Sequence, residues 1–327
     1  MDLYVSGGRQ RRQLAGGLAP EWSRYDRARI VRIDTESLRS EMVMEYVTPP
    51  DARPDEGGST LFTQGTLDDR TLYICTSTEV LIFQTPEFTC SGYVSLPTFN
   101  DLHHVCPGSA GSLLVASTGL DMVVEFTPEG APLRHWSVIG ENPWERFSKS
   151  IDYRKVATTK PHKSHPNFVF HLNGDIWATR AWQKDALCLT CPERRFTVGT
   201  ETIHDGLVIG DSIWFTSVDG KVIEVDRETL QVKRAVDLKE INRKPGTVLG
   251  WCRGLCPIGD HLIWVAFTRV RKTKFRENLL WVKHCFNNPD VPSHIALYDL
   301  DRKKCLQEIG LEERGLNIVF SIFPVPP

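Results

Sequence analysis

The sequence predicts an all-β fold, a six-bladed β-propeller formed by residues 1–327 as one domain. Three observations predict it. Residues 203–238, IHDGLVIGDSIWFTSVDGKVIEVDRETLQVKRAVDL, read as a meander of four short strands. The same pattern recurs along the chain, and the two chain ends together hold the strands of one further unit. Nine tryptophans, with 24 glycines and 20 prolines, fit a turn-rich β chain better than a helical one.

The elements follow in order. Leu3–Ser6, Ala28–Ile33 and Glu41–Val47 are three strands without a fourth beside them. Leu61–Gln64, Leu72–Cys75, Val80–Gln84 and Gly92–Leu96 form a complete unit, and His104–Cys106, Leu113–Ala116, Met122–Phe126 and Leu133–Val138 form the next. Phe168–Leu172, Ile176–Thr179, Ala186–Leu189 and Arg195–Val198 make another. In the 203–238 meander, Gly210-Asp211 turns the first strand into Ile213–Thr216. Asp219-Gly220 then turns the chain into Val222–Val225, a strong hairpin signal because both residues tolerate positive φ. The last complete unit is Leu255–Ile258, Ile263–Phe267, Ile295–Asp299 and Cys305–Ile309, leaving Ile318–Phe323 alone at the end. That strand joins the three N-terminal ones, which closes a ring without free edges. The repeat averages about 54 residues, a period that fits stacked blades with long loops better than a pair of β-sandwiches.

Composition narrows the function. A hydrophobic content of 41% supports a core, and a net charge of −2 argues against nucleic acid or an acidic membrane as partner. No stretch reaches the roughly 20 apolar residues of a membrane helix. The N-terminal MDLYVSGGRQRRQ has no apolar run after a basic start, and nine cysteines show no framework spacing, so a cytoplasmic location with reduced thiols is expected. Cys188 and Cys191 form a CxxC on a strand, where residues three apart face opposite ways, so a structural role is expected.

In an up-and-down blade, the start of the innermost strand and the turn between its second and third strands lie at one end. The long segments 7–27, 139–164, 239–250 and 268–292 all fall there, so that end is the candidate site. Aligning the units on SLLVAS, DIWATR, SIWFTS and LIWVAF places His104, His165 and His204 at equivalent inner-strand starts, with Cys252-Arg253 at the fourth. A single histidine there is usually a hydrogen-bonded filler. Three in phase are a candidate centre for iron, zinc, copper or manganese, because neutral imidazole suits all four. Asp101 and Asp205 adjoin these histidines as ring orienters or bases. His103 is either an outer partner or an alternative to His104, and His162 is a loop residue near the same mouth. His135, His171 and His261 are expected to be structural or exposed.

Basic residues crowd the same end. The stretch 267–284, FTRVRKTKFRENLLWVKH, holds Arg269, Arg271, Lys274 and Arg276, and its apolar residues suggest a short packed helix. The turn TRAWQKD carries Arg180 and Lys184. Arg pairs with carboxylate or phosphate in bidentate fashion, so these residues are candidates for binding a small anionic substrate, against the alternative of a solvated charged lid. Gly108–Gly111 lacks the context of a phosphate loop, and there is neither a GxSxG elbow nor a DxDxDG calcium loop.

At the level of blade pattern, over the whole chain, the sequence resembles the six-bladed propeller superfamily of gluconolactonase-like, strictosidine-synthase-like and streptogramin-lyase-like proteins. The HHV, SHPN, IHDG and GWCRG segments look like the signature of one group within it. The resemblance implies a divalent metal at the channel mouth, held in those families by Glu, Asp and Asn as well as His. The expectation is therefore a metal-dependent hydrolase or lyase. Its metal is held by His104, His165 and His204, with Asp101 or Asp205 as base and Arg253, Arg180 or Lys184 placing substrate. Two alternatives stand beside it: an iron or copper oxidoreductase or oxygenase at the same histidines, and a non-catalytic propeller that binds a partner.

Overall fold

Twenty-four strands lie in six four-stranded antiparallel sheets, in a computed structural model that describes residues 1–11, 21–241, 249–270 and 291–326. In chain order β1 (Asp2–Gln10), β2 (Tyr25–Asp34) and β3 (Ser40–Tyr46) come first. They are followed by β4 (Gly65–Asp68), β5 (Thr71–Cys75), β6 (Val80–Gln84) and β7 (Thr89–Val94), which form blade 2. Blade 3 is β8 (Leu102–Pro107), β9 (Leu113–Ser117), β10 (Met122–Phe126) and β11 (Pro132–Ser137). Blade 4 is β12 (Pro166–Leu172), β13 (Asp175–Arg180), β14 (Asp185–Cys188) and β15 (Arg195–Thr197). Blade 5 is β16 (Ile203–Ile209), β17 (Ser212–Ser217), β18 (Lys221–Asp226) and β19 (Val232–Asp237). Blade 6 is β20 (Trp251–Ile258), β21 (Leu262–Thr268), β22 (His294–Asp299) and β23 (Lys304–Gly310). Finally β24 (Ile318–Pro324) pairs with β1, so blade 1 runs β24-β1-β2-β3 and the ring closes by one C-terminal and three N-terminal strands, as the sequence predicts.

Apolar alternation explains why the sheets stack. Every gap between neighbouring blades holds its own buried cluster, from Leu72, Ile74 and Phe83 against Tyr4 and Ile30 between blades 2 and 1, round to Trp264 and Ile295 against Leu3 and Val31 between blades 6 and 1. Each fully buried aliphatic or aromatic side chain contributes about 1.5–3 kcal/mol, so these gaps hold the ring together. One expected strand is misplaced. The inner strand of blade 2 is Gly65–Asp68, not Leu61–Gln64, because Leu61 and Phe62 are spent packing against blade 1 and the mouth. Among the described residues no helix is long and apolar enough to cross a membrane.

A shared irregularity prepares the site. Each innermost strand carries one extra residue near its start, a β-bulge that breaks the register with its neighbour. It falls between Leu102 and Val105, Pro166 and Val169, Ile203 and Asp205, and Cys252 and Leu255. On β24 it falls at Phe320, opposite the Ser6/Gly7 shift. In blade 2, the Thr63 N–H reaches the Cys75 carbonyl (2.9 Å) while Gly65 pairs with Ile74, which leaves Gln64 as the extra residue. Bulges re-aim side chains. Here the bulges and the residues just before the inner strands bring Gln64, His103, His204, Arg253 and Phe320 together at the mouth.

Candidate metal centre at the channel mouth

The mouth is built by one loop crossing two blades. Residues 138–165 leave blade 3 at the end of β11 and enter β12, and two turns grip the loop. Asp121, in the turn between β9 and β10, accepts the backbone N–H groups of Lys163 (2.8 Å), Ser164 (2.9 Å) and His165 (2.8 Å). From blade 4, the Trp182 N–H donates to the Ser164 carbonyl (3.1 Å) and the Ala181 N–H to that of His165 (3.3 Å). His165 is held at φ +62°, and Asp101, just before β8, at φ +50°. Left-handed backbone is uncommon for either residue and costs free energy, which marks a position fixed by its surroundings.

This geometry brings Asp101, His162 and His165 together. Their ligand atoms lie within 4.8 Å of one another, and all three residues are half-buried at the mouth. The Nδ1 atoms of His162 and His165 are 2.8 Å apart, and the rings stack at 5.0 Å between centroids. Trp182, 53% exposed, also meets the His165 ring, at 5.3 Å between centroids and tilted by 34°. Burial pulls the basicity of His162 and His165 below the ordinary histidine value, so both are neutral donors at neutral pH. Burial alone would push Asp101 up, but His103, Lys160, His165 and His162 draw it below the usual carboxylate range. Two neutral imidazoles and one carboxylate form a donor set that fits a divalent transition metal. At 2.8 Å the two Nδ1 atoms share a hydrogen bond, one imidazole donating and the other accepting, so the pair is already held at a separation that a shared ion would need to widen only slightly.

His103 faces this group. Its ring meets His165 at 4.9 Å and His204 at 6.2 Å. Its Nδ1 lies 3.0 Å from the Asp101 carbonyl, so the proton belongs on Nδ1 and Nε2 remains an acceptor. Burial keeps His103 neutral as well.

The three histidines expected to share a metal are not brought together. His104 turns outward from the axis. Its Nε2 lies 3.3 Å from the Thr66 hydroxyl, its Nδ1 accepts from the Val169 N–H (3.5 Å), and its ring packs on Phe168 at 4.6 Å. Buried there, it is pushed down to about 3 and fills a gap between blades. The inner-strand bulge exchanges the facing of His103 and His104. His204 stays at the axis, but both its ring nitrogens are engaged: Nδ1 faces the Gln64 amide at 2.9 Å and Nε2 faces Arg253 Nη1 at 2.6 Å. Of the three, only His165 belongs to the cluster. His162 takes part although the sequence placed it merely nearby.

The expected base and substrate residues divide in the same way. Asp205 lies beside Arg253 and Cys252, accepts the Gly206 N–H (2.8 Å), and is pushed up to about 7 by burial. The Arg253 guanidinium carbon lies over the Phe320 ring, 4.2 Å from its centroid, and the group is pinned at the axis by His204. Arg180 is spent on a buried fork to Asp185 (2.7 and 2.5 Å) and on the Val138 carbonyl (3.2 Å). Lys184 donates to the Thr200 carbonyl and Arg269 pairs with Glu312, so both are tied down as well. Arg271, Lys274 and Arg276, with the helix expected around them, lie outside the described residues. Cys188 and Cys191 are free thiols, and Cys188 Sγ sits 3.2 Å from the Thr190 hydroxyl.

Comparison with known proteins reaches the fold and stops there. No protein-family model matches the chain, and no curated protein matches it in sequence. A protein of unknown function from Bacteroides caccae superimposes with a TM-score of 0.62 at 11% identity, covering 100% of this chain and 99% of that one. A chain of a nidogen/laminin complex gives 0.54 at 7% identity, covering 98% and 97%. These likenesses show a shared propeller architecture. Virginiamycin B lyase from Staphylococcus aureus gives 0.45 at 17% identity over 73% of this chain and 70% of that one, too distant to bear on chemistry.

Proposed function

We propose that this propeller is a metal-dependent enzyme acting on a small anionic molecule at the channel mouth, by hydrolysis or elimination. The observation that carries the reading is the convergence of Asp101, His162 and His165, each half-buried, within 4.8 Å of one another. A metal held by these residues would supply Lewis acidity toward a carbonyl or a bound water. The remaining roles belong to the chain. His103, neutral and with Nε2 free to accept, is the general base in place of Asp101 and Asp205. Arg253, fixed by His204 and Phe320, is the cation that orients the anionic group. Trp182 offers an exposed ring face beside the centre for an apolar part of the substrate.

One observation favours a second reading. Two histidines and one carboxylate are also the donor set of mononuclear iron oxygenases, so oxidative chemistry at the same residues is the alternative. Turnover that needs oxygen would select it.

The test is elemental analysis of purified, tag-free protein beside a His162→Ala, His165→Ala double variant. Stoichiometric transition metal in the parent and its loss in the folded variant is the expected result. A parent that holds none, even after reconstitution with iron, zinc, copper or manganese, would sink the enzyme reading in favour of a binding propeller.

A further inference from the structure

We infer that Asp121 is the positioning residue of this centre, the group that holds His162 and His165 in ligating geometry without touching a metal or a substrate. The inference rests on the metal reading above. Asp121 comes from the second-to-third-strand turn of blade 3, one blade away from the strand that His165 opens. Its side chain is 1% exposed, and its own backbone is left-handed at φ +50°. Four donors meet its two oxygens. Oδ1 takes the Ser164 and His165 N–H groups, while Oδ2 takes the Lys163 N–H and Arg146 Nη1 (2.7 Å).

Three consecutive backbone N–H groups aimed at one carboxylate fix the path of residues 163–165. That path sets the φ of +62° at His165, and the φ decides where the imidazole points. The Ala181 and Trp182 N–H groups clamp the same residues from the other side through their carbonyls. A carboxylate outside the ligand set, holding only backbone N–H groups and Arg146, thus dictates the separation of the Nδ1 pair. Asparagine at 121 could still accept at one oxygen, but its NH2 would confront the Lys163 N–H and Arg146, donor against donor.

The test uses the metal-free full chain titrated with Co2+ and followed by its visible absorption. Asp121→Asn is compared with Asp299→Asn, another fully buried carboxylate that accepts a backbone N–H (Arg302, 2.9 Å) in a turn at the opposite end. Asp121→Asn is expected to weaken Co2+ binding about 10–100-fold, the usual effect of losing a partner that orients metal ligands. Asp299→Asn is expected to bind as the parent does even if its Tm falls equally. A crystal structure of metal-free Asp121→Asn is expected to show the His162–His165 pair separated. Folded Asp121→Asn that binds Co2+ within roughly twofold of the parent, or that keeps the pair together, would overturn the inference. If Asp121→Asn does not fold, Asp121→Glu, which keeps the charge and displaces the oxygens by a methylene, is measured against the same criteria. A parent that takes up no Co2+, or a His162→Ala, His165→Ala variant that keeps it, is a failure of the metal reading instead. The metal-free structure then decides on Asp121 alone.

Discussion

The imidazole of His204 accepts a hydrogen bond from the guanidinium of Arg253 across two adjacent blades, at 2.6 Å, and the guanidinium lies on the Phe320 ring of the next blade. Three consecutive blades thus contribute one residue each to hold a cation at the axis. The Thr216 hydroxyl adds a bond to the Arg253 carbonyl (2.7 Å), which fixes its backbone as well. Such a cation is oriented before any ligand arrives. Arg253→Lys keeps the charge but loses the flat fork that His204 and Phe320 hold. KM for an anionic substrate is expected to rise about tenfold or more, equivalent to ~1.4 kcal/mol, with the fold intact. Unchanged KM would remove Arg253 from substrate binding.

His103 and His104 are neighbours in sequence with opposite fates. His104→Ala should leave metal content at the parent level, since its ring is bonded to Thr66 and Val169 between the blades. The Val169 N–H would lose its acceptor, and the stability cost is expected to be about 1–3 kcal/mol in urea titrations. His103→Ala should instead cut turnover while leaving metal bound. Metal lost in His104→Ala but kept in His162→Ala would restore the ligand set read from sequence.

Much of this fold was legible because blade patterning is written in alternation and turn residues, which local sequence carries directly. Asp219-Gly220 marked its hairpin, and Ile318–Phe323 found its three N-terminal partners by count alone. The site was legible in place but not in detail. Histidines at inner-strand starts pointed to the correct mouth. Alignment of the units on their second strands chose His104 over His103, but one extra residue between Leu102 and Val105 shifts the facing and no residue type there announces a bulge. The His-x-x-His spacing of His162 and His165 was the available signal for the pair that meets. Nothing in sequence ties Asp121 to residues 163–165, since that link is a tertiary contact over more than forty positions.

Gly254 lies at the blade 6 bulge beside Arg253, where it faces the inner strand of blade 1 at Phe320 and Ser321. A Cβ built there would overlap the backbone carbonyl of Phe320 and crowd the Ser321 Cα at 2.8 Å. Neither neighbour can rotate away, being main chain. Gly254→Ala is expected to cost about 1–3 kcal/mol and to displace Phe320 from Arg253. Loss of stability with an unchanged KM would show that the close approach serves ring closure alone.

Asp205 gives a pH signature with a definite sign. Its folded-state value is pushed up to about 7 by burial, against an ordinary 3.8. Below the ordinary value the carboxyl is protonated in both states and costs nothing. Between there and about 7 the unfolded chain ionises while the folded one keeps its proton, so stability falls as pH rises, by about 1.4 kcal/mol per unit. The full penalty, about 4 kcal/mol, is reached above the folded value. The buried neutral histidines, among them His104 at about 3, slope the other way and lose stability as pH falls below their ordinary range. They are common to parent and variant, so their contribution cancels in the difference. Asp205→Asn removes only the Asp205 slope. Urea midpoints at pH 5, 6.5 and 8 are expected to show the variant gaining on the parent at each step upward. A gap that stays constant across those three points would mean that Asp205 is ionised throughout and balanced by Arg253.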